Sequence, residues 1–253
     1  MRRIRHNLLA ISAILVALTL WTGPVLAETC GTAKVDSARL TWCEIDLKQE
    51  TLRLWLRDPE GRPWGTFDRL SEALEADGKT LGLAMNADMY HQDRAPVGHY
   101  VEEGKNLMRV ITSEGPGNFG LLPNGVFCLK GSTASVVESR AFAKSGVQCE
   151  FATQSGPMLV IDGALHPRFL VDSNSYKRRN GVGTTHDGAK VILAITDDPM
   201  TFHQFARFFR DQAKTPNALF LDGSVSRLYA PNLKRHDLGH PMGPILGTVV
   251  PNG

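Results

Sequence analysis

The chain predicts an α+β fold with a β-rich mixed sheet core and a few helices, one of them inside a βαβ unit near the C-terminus. Three observations carry this. Short apolar runs recur along most of the chain, broken by clusters of Gly, Pro, Asn and Asp. Two stretches repeat apolar residues at helical spacing instead, Phe67-Leu70-Leu74 and Phe202-Phe205-Ala206-Phe209. The second lies between two apolar strands, Lys190 to Thr196 and Ala218 to Leu221, so those strands are expected to run parallel with a right-handed crossover.

Arg2, Arg3 and Arg5 precede an apolar run from Leu8 to Trp21, and Val25-Leu26-Ala27 offers a small-residue cleavage site. Residues 1–27 therefore read as a secretory signal peptide. The run is shorter than the roughly 20 residues that a membrane span requires. No stable membrane insertion is expected after cleavage, and residues 28–253 should form one domain, periplasmic or secreted. Of 28 Lys and Arg the leader takes three and of 26 Asp and Glu none, so the mature chain is close to neutral. That charge gives no reason to expect nucleic acid as a partner.

Cys30, Cys43, Cys128 and Cys149 all remain after cleavage and meet an oxidising compartment. Three pairings are possible; proximity favours Cys30–Cys43 and Cys128–Cys149. The histidines are scattered and form no H-E-x-x-H pattern, and there is no G-x-S-x-G. Neither a metal site nor a cofactor is expected.

In chain order, Leu40 to Leu47 and Thr51 to Arg57 both alternate and suggest a hairpin turning near Lys48-Gln49-Glu50. A short helix follows through Phe67, Leu70 and Leu74 and stops at Gly78. Leu81 to Met85 is an apolar strand that ends in Asn86-Ala87-Asp88-Met89-Tyr90-His91, either a polar turn or part of a site. Val126 to Leu129, Phe151 to Gln154 and Met158 to Ile161 are further strands, with a hairpin turn at Asp162-Gly163. Arg178-Arg179-Asn180-Gly181-Val182-Gly183 leads into a strand pair turning at Asp187-Gly188. The arginines are a solvated pair or a phosphate clamp.

In the crossover, Thr201 and Gln204 fit a capping box opening a helix to Lys214, and Thr215-Pro216-Asn217 closes it. Ala218 to Leu221 then delivers Asp222 at the mouth of an apolar strand. A carboxylate there needs hydrogen bonds, a partner or a task; an Asx-turn cap would also satisfy it. Gly223 leaves room beside the acid, and Ser224 and Ser226 add hydroxyls before the strand at Leu228 and Tyr229.

Several of these stretches together resemble the phosphodiester glycosidase family, especially its bacterial exported branch. They are Asn86-Ala87-Asp88-Met89-Tyr90, Pro96-Val97-Gly98, Pro123-Asn124-Gly125-Val126-Phe127, Gln154-Ser155-Gly156-Pro157-Met158-Leu159, Arg179-Asn180-Gly181-Val182-Gly183 and Ala218-Leu219-Phe220-Leu221-Asp222-Gly223. The resemblance spans about Leu81 through Val249. It implies hydrolysis of a sugar-1-phosphodiester, of the N-acetylglucosamine-1-phosphodiester kind, at its glycosidic bond, with free sugar and a phosphomonoester as products. Carried onto this chain, it makes Asp222, Arg179 and Asn86 the catalytic candidates. Ser155, Gly156, Asp88, Tyr90, Gly223 and Ser226 are the substrate-binding ones. Asp222 would act on the anomeric carbon and Arg179 on the phosphate. Asp88 stands where the family usually carries Gly, so it either adds a carboxylate or takes a left-handed backbone. The alternative of another class is a non-catalytic protein that binds a glycan or sugar phosphate during envelope polysaccharide assembly or export.

Overall fold

The computed structural model describes residues 29–223 and 225–251; the signal peptide expected over 1–27 and the hydroxyl of Ser224 lie outside them. Three sheets surround one core. The first has seven strands in the order β1 (Thr29–Val35), β2 (Ala38–Asp46), β13 (Lys190–Thr196), β12 (Asn180–Thr184), β14 (Asn217–Phe220), β10 (Met158–Ile161) and β11 (Ala164–Leu165). The second runs β16 (Arg235–His236), β15 (Leu228–Ala230), β4 (Lys79–Asn86), β17 (Ile245–Pro251) and β3 (Thr51–Trp55). The third runs β6 (Lys105–Met108), β5 (Tyr100–Glu102), β9 (Phe151–Ser155), β7 (Gly125–Lys130) and β8 (Thr133–Glu138).

All three sheets supply the central core: Ile45, Leu193 and Leu219 from the first, Leu54, Met85 and Leu246 from the second, Phe127, Val136 and Phe151 from the third. Each sheet buries its outer face under a helix. Helix α1 (Phe67–Ala76) covers the second sheet with Phe67, Leu70 and Leu74. Helix α2 (Ser139–Ser145) places Phe142 against Val101, Val126 and Ala152 of the third. Helix α3 (Phe202–Arg207), continued by a π-helical turn over Phe208–Gln212, packs Phe205, Phe208 and Phe209 on the first. Two-sided burial explains why strands such as Lys190–Thr196 read as continuous apolar runs.

The local expectations hold at several points. Thr66 caps α1 by accepting from Arg69 N–H, and the helix ends before Gly78 at φ +69°. Thr201 and Gln204 form the capping box of α3 in both directions. Asp162 and Gly163 both have positive φ in the β10–β11 hairpin. Among the described residues no helix is long and apolar enough to cross a membrane.

Two pairings differ from expectation. The strands flanking Lys48–Glu50 do not form a hairpin: β2 pairs with β1 and β13, while β3 pairs with β17 in another sheet. Alternation identified both strands, but the core they share is entered from facing sheets, with Ile45 and Leu54 meeting across it. The core is also antiparallel rather than mixed. β13 and β14, joined by α3, run in the same direction as expected but are not neighbours: both pair antiparallel with β12, which lies between them. β12 is suited to that central place because Gly181 and Gly183 strip its helix-facing side. A Cβ at Gly183 would lie 2.8 Å from the Thr215 side chain and 2.9 Å from the Phe209 ring. The helix thus seats directly on the strand between its two ends.

Both expected disulfides are formed. Cys30–Cys43 links directly opposed residues of β1 and β2, and Cys128–Cys149 ties β7 to the segment that leads into β9. They close separations of 13 and 21 residues. Replacing either pair with serines should lower unfolding free energy by about 3 kcal/mol, read by denaturant titration. A loss close to zero for both would mean that neither loop needs its crosslink.

Candidate active site

Strand ends from all three sheets meet at one end of the central core. β4 brings Asn86, β12 brings Asn180, β14 leads into Asp222, β9 ends in Ser155, and Arg227 immediately precedes β15. The binding element is Asn180. Its side-chain amide donates to Asn86 O at 3.0 Å and to Asn86 Oδ1 at 2.9 Å, and its Oδ1 accepts from Asp222 N–H at 2.8 Å. Its main chain adds a bond from Asn180 N–H to Asp222 O and another from Leu221 N–H to Asn180 O. Asn86 Oδ1 also accepts from Arg227 N–H at 2.9 Å. One buried asparagine pair therefore fixes the second sheet to the first at the level of Asp222.

The other site candidates divide by what their side chains do. Ser155 donates its hydroxyl to Leu221 O at 2.7 Å, so it holds the end of β14. Ser226 donates to Asp222 O at 3.0 Å and to Gly223 O at 3.3 Å, closing the turn after the acid. Gly156 and Gly223 are required for space. A Cβ on Gly156 would lie 2.6 Å from Asn124 Cβ, and one on Gly223 2.9 Å from Arg178 O. Tyr90 packs on Gly243, donates its hydroxyl to Pro241 O at 3.2 Å and carries the Arg94 guanidinium over its ring. The Tyr90 phenol also lies within the fields of Asp222 and Arg227.

Arg179 is placed differently from the phosphate clamp that its motif implied. The residue is 2% exposed, and its guanidinium stacks 3.6 Å from the Phe202 ring centroid. Nε donates to Met200 O at 2.7 Å and Nη2 to Ser175 O at 2.9 Å. Among the described residues no carboxylate pairs with it, and burial draws it down to about 10. As placed, it fastens the loop before β12 to the segment before α3. Its neighbour Asn180 carries the polar contacts at the strand junction, and Arg178 is exposed.

Asp88 is fully buried, and its backbone does not take positive φ, so this position brings a carboxyl rather than a left-handed residue. Oδ1 accepts from Met89 N–H at 2.6 Å. Among the described residues Oδ2 has no hydrogen-bond partner, and the Thr153 hydroxyl stands beside the group without closing a well-formed bond. Burial, reinforced by the nearby Asp222 charge, pushes Asp88 well above the usual carboxylate range, against the smaller opposing pull of Thr153 and Met89 N–H. Burial thus favours the neutral form of Asp88 beside Asp222. Asn86 Nδ2 is likewise buried without an acceptor among the described residues. Two polar atoms, one at each end of the Asn86–Asp88 segment, are left over from the protein's own bonding.

The raised Asp88 acidity has a direct consequence. Between about 3.9, the value in an unfolded chain, and its raised native value, the folded state retains a proton that the unfolded chain has lost. Stability therefore falls as pH rises across that interval, by up to about 1.4 kcal/mol per pH unit for one proton. Asp88→Asn should flatten this slope and gain most over wild type at neutral pH, in urea titrations from pH 4 to 8. Parallel pH profiles for the two proteins would show that Asp88 ionises normally.

Sequence reading did not single out Asn180, Thr153 or Arg227. Asn180 was within a quoted motif, but the choice between it and Arg179 depends on which face of β12 meets β4. Thr153 looks like any strand threonine, and Arg227 like a charge after a turn.

Surface grooves lie elsewhere, such as that lined by Leu47, Arg53, Glu103 and Phe151. Among the described residues no group of three His, Cys, Asp or Glu gathers as a metal site would.

A three-sheet domain with a buried carboxyl beside a strand-end acid, held by an asparagine pair, is the class of protein defined so far. The chain belongs to the phosphodiester glycosidase family, whose model matches residues 79–246 and so includes every residue of this site. It is 31% identical over 223 residues to the uncharacterized protein YigE of Escherichia coli strain K12, covering 87% of this chain and 86% of that one. Its fold matches the catalytic domain of zebrafish N-acetylglucosamine-1-phosphodiester alpha-N-acetylglucosaminidase, in a form auto-inhibited by pro-peptide. The TM-score there is 0.62 at 15% identity, over 90% of this chain and 84% of that one. A hypothetical protein from Synechocystis shares the fold with TM-score 0.56 at 12% identity, over 87% and 61% of the two chains.

Proposed function

We propose that this protein is an exported hydrolase that cleaves a sugar-1-phosphodiester at the glycosidic bond. The anomeric C–O bond breaks, an oxygen from water replaces it on the sugar, and the bridging oxygen leaves with the phosphomonoester. The observation that carries this reading is the pair Asp88 and Asp222, two carboxyls in different environments at one strand-end junction inside the family's matched region.

The chemistry suits that pair. Cleavage passes through an oxocarbenium-like state that a carboxylate stabilises or attacks. Asp222, 9% exposed, is the group in this role. Asp88, whose burial favours the protonated form, offers a proton or a hydrogen bond. Asn86 contributes the unpartnered Nδ2 as a donor to a sugar hydroxyl or phosphate oxygen. Asn180, Ser155 and Ser226 act through Asp222, by fixing the backbone on either side of it. A phosphate leaving group is already a good one, so it needs charge neutralisation more than protonation. The two disulfides and the leader-like residues 1–27 support a periplasmic or secreted site of action.

The test is incubation of the mature protein with a panel of sugar-1-phosphodiesters, with free sugar and phosphomonoester separated. Release of both in equal amounts supports the reading. Binding of the panel without any turnover would make the protein a glycan or sugar-phosphate carrier.

A further inference from the structure

We propose that Arg227 is the anion-binding group of this site and that its guanidinium receives the phosphate of the substrate. The inference rests on the phosphodiester reading above and assigns to Arg227 the role that the sequence motif had implied for Arg179.

Arg227 is 8% exposed, yet among the described residues its guanidinium makes no hydrogen bond and no ion pair; only its backbone N–H is engaged, with Asn86 Oδ1 at 2.9 Å. A cation on a residue so largely buried is costly to leave unpaired unless something completes it. The nearby carboxylate that could do so is already taken. Asp237 accepts from Arg235 through contacts of 2.9 and 3.1 Å and from Leu228 N–H at 3.0 Å. Arg179, by contrast, uses its donors on two carbonyls and its face on Phe202.

The surroundings are shaped to the guanidinium. Gly239, at φ +147°, lies so close that a Cβ there would come within 2.5 Å of Arg227 Nη2. The positive φ favours glycine there, and its missing side chain leaves room for the guanidinium. Tyr90 stands alongside, within the fields of both Arg227 and Asp222, with Arg94 over its ring. Extending the β15–β4 register by one residue sets Arg227 opposite Asn86, the residue with the unpartnered Nδ2. A planar five-donor fork next to a free amide matches a phosphate with two or three accessible oxygens.

The experiment is calorimetric titration of inorganic phosphate, and separately of neutral N-acetylglucosamine, into the mature wild type, Arg227→Gln and Arg227→Lys. Thermal melts confirm folding. Arg227→Gln is expected to weaken phosphate binding roughly tenfold or more with N-acetylglucosamine binding unchanged; Arg227→Lys should fall between, because it keeps the charge and loses the fork. Phosphate binding in Arg227→Gln equal to wild type, or no phosphate binding in wild type, would overturn the assignment. Should the glutamine variant fail to fold, the lysine variant carries the comparison: weakened phosphate binding supports the assignment, and wild-type affinity overturns it. The readout is binding, so an Arg227-dependent phosphate site without turnover would discard the hydrolase reading and keep this one. Turnover with an Arg227-independent phosphate site would do the reverse.

Discussion

Replacing Asp222 with asparagine is expected to lower turnover of the best sugar-1-phosphodiester by about a thousandfold, while ligand affinity stays within a few-fold of wild type. The amide keeps the shape of the carboxylate and, because the hydrogen bond from Asp222 to Asn180 uses the backbone N–H, the 2.8 Å link is left intact. What is lost is the negative charge facing a positive anomeric centre, an interaction present mainly in the transition state. The effect should therefore fall on kcat with KM nearly unchanged. Undiminished turnover would remove Asp222 from the chemistry.

The second large effect is expected at Asn180. Alanine there deletes three side-chain hydrogen bonds in a fully buried junction and strands Asn86 O and Asp222 N–H without partners. Each buried group left unsatisfied costs about 1–3 kcal/mol, so unfolding free energy should fall by roughly 3 kcal/mol or more. Because the same bonds position Asp222, turnover should fall as well, even under conditions where the variant remains folded. Asn180→Asp separates the two roles. It keeps an acceptor for Asp222 N–H but loses both donors to Asn86. Activity that survives in Asn180→Ala at wild-type level would mean that the link between β4 and β14 is dispensable for the site.

Features determined by residues close in sequence were legible before the structure. Phe67, Leu70 and Leu74 marked the buried face of α1, Thr201 and Gln204 marked the start of α3, and cysteine spacing marked both disulfides. Asn86 and Asp222 were each marked by a polar residue closing an apolar strand and Ser155 by the family resemblance, and all three lie at the common junction. Partner choice was not legible. Leu40 to Leu47 and Thr51 to Arg57 alternate as a hairpin would, yet belong to different sheets, because alternation records which face is buried and not which strand lies alongside. The same limit assigned Arg179 over Asn180. Adjacent residues of a strand face opposite ways, and the direction of β12 relative to β4 decides which of them enters the site. Arg227 was illegible for another reason: its significance lies in having no partner, a property of the folded surroundings created by Gly239 and by the engagement of Asp237 with Arg235.

The central claim is that the bond broken is the anomeric C–O bond, and hydrolysis in 18O-labelled water tests it most directly. Mass spectrometry of the released phosphomonoester reads the outcome, since that product retains the bridging oxygen if the sugar carbon is attacked. The expected result is an unlabelled phosphomonoester formed alongside free sugar. One 18O atom in the phosphomonoester, or sugar 1-phosphate released with a free alcohol, would place the attack at phosphorus and contradict the account.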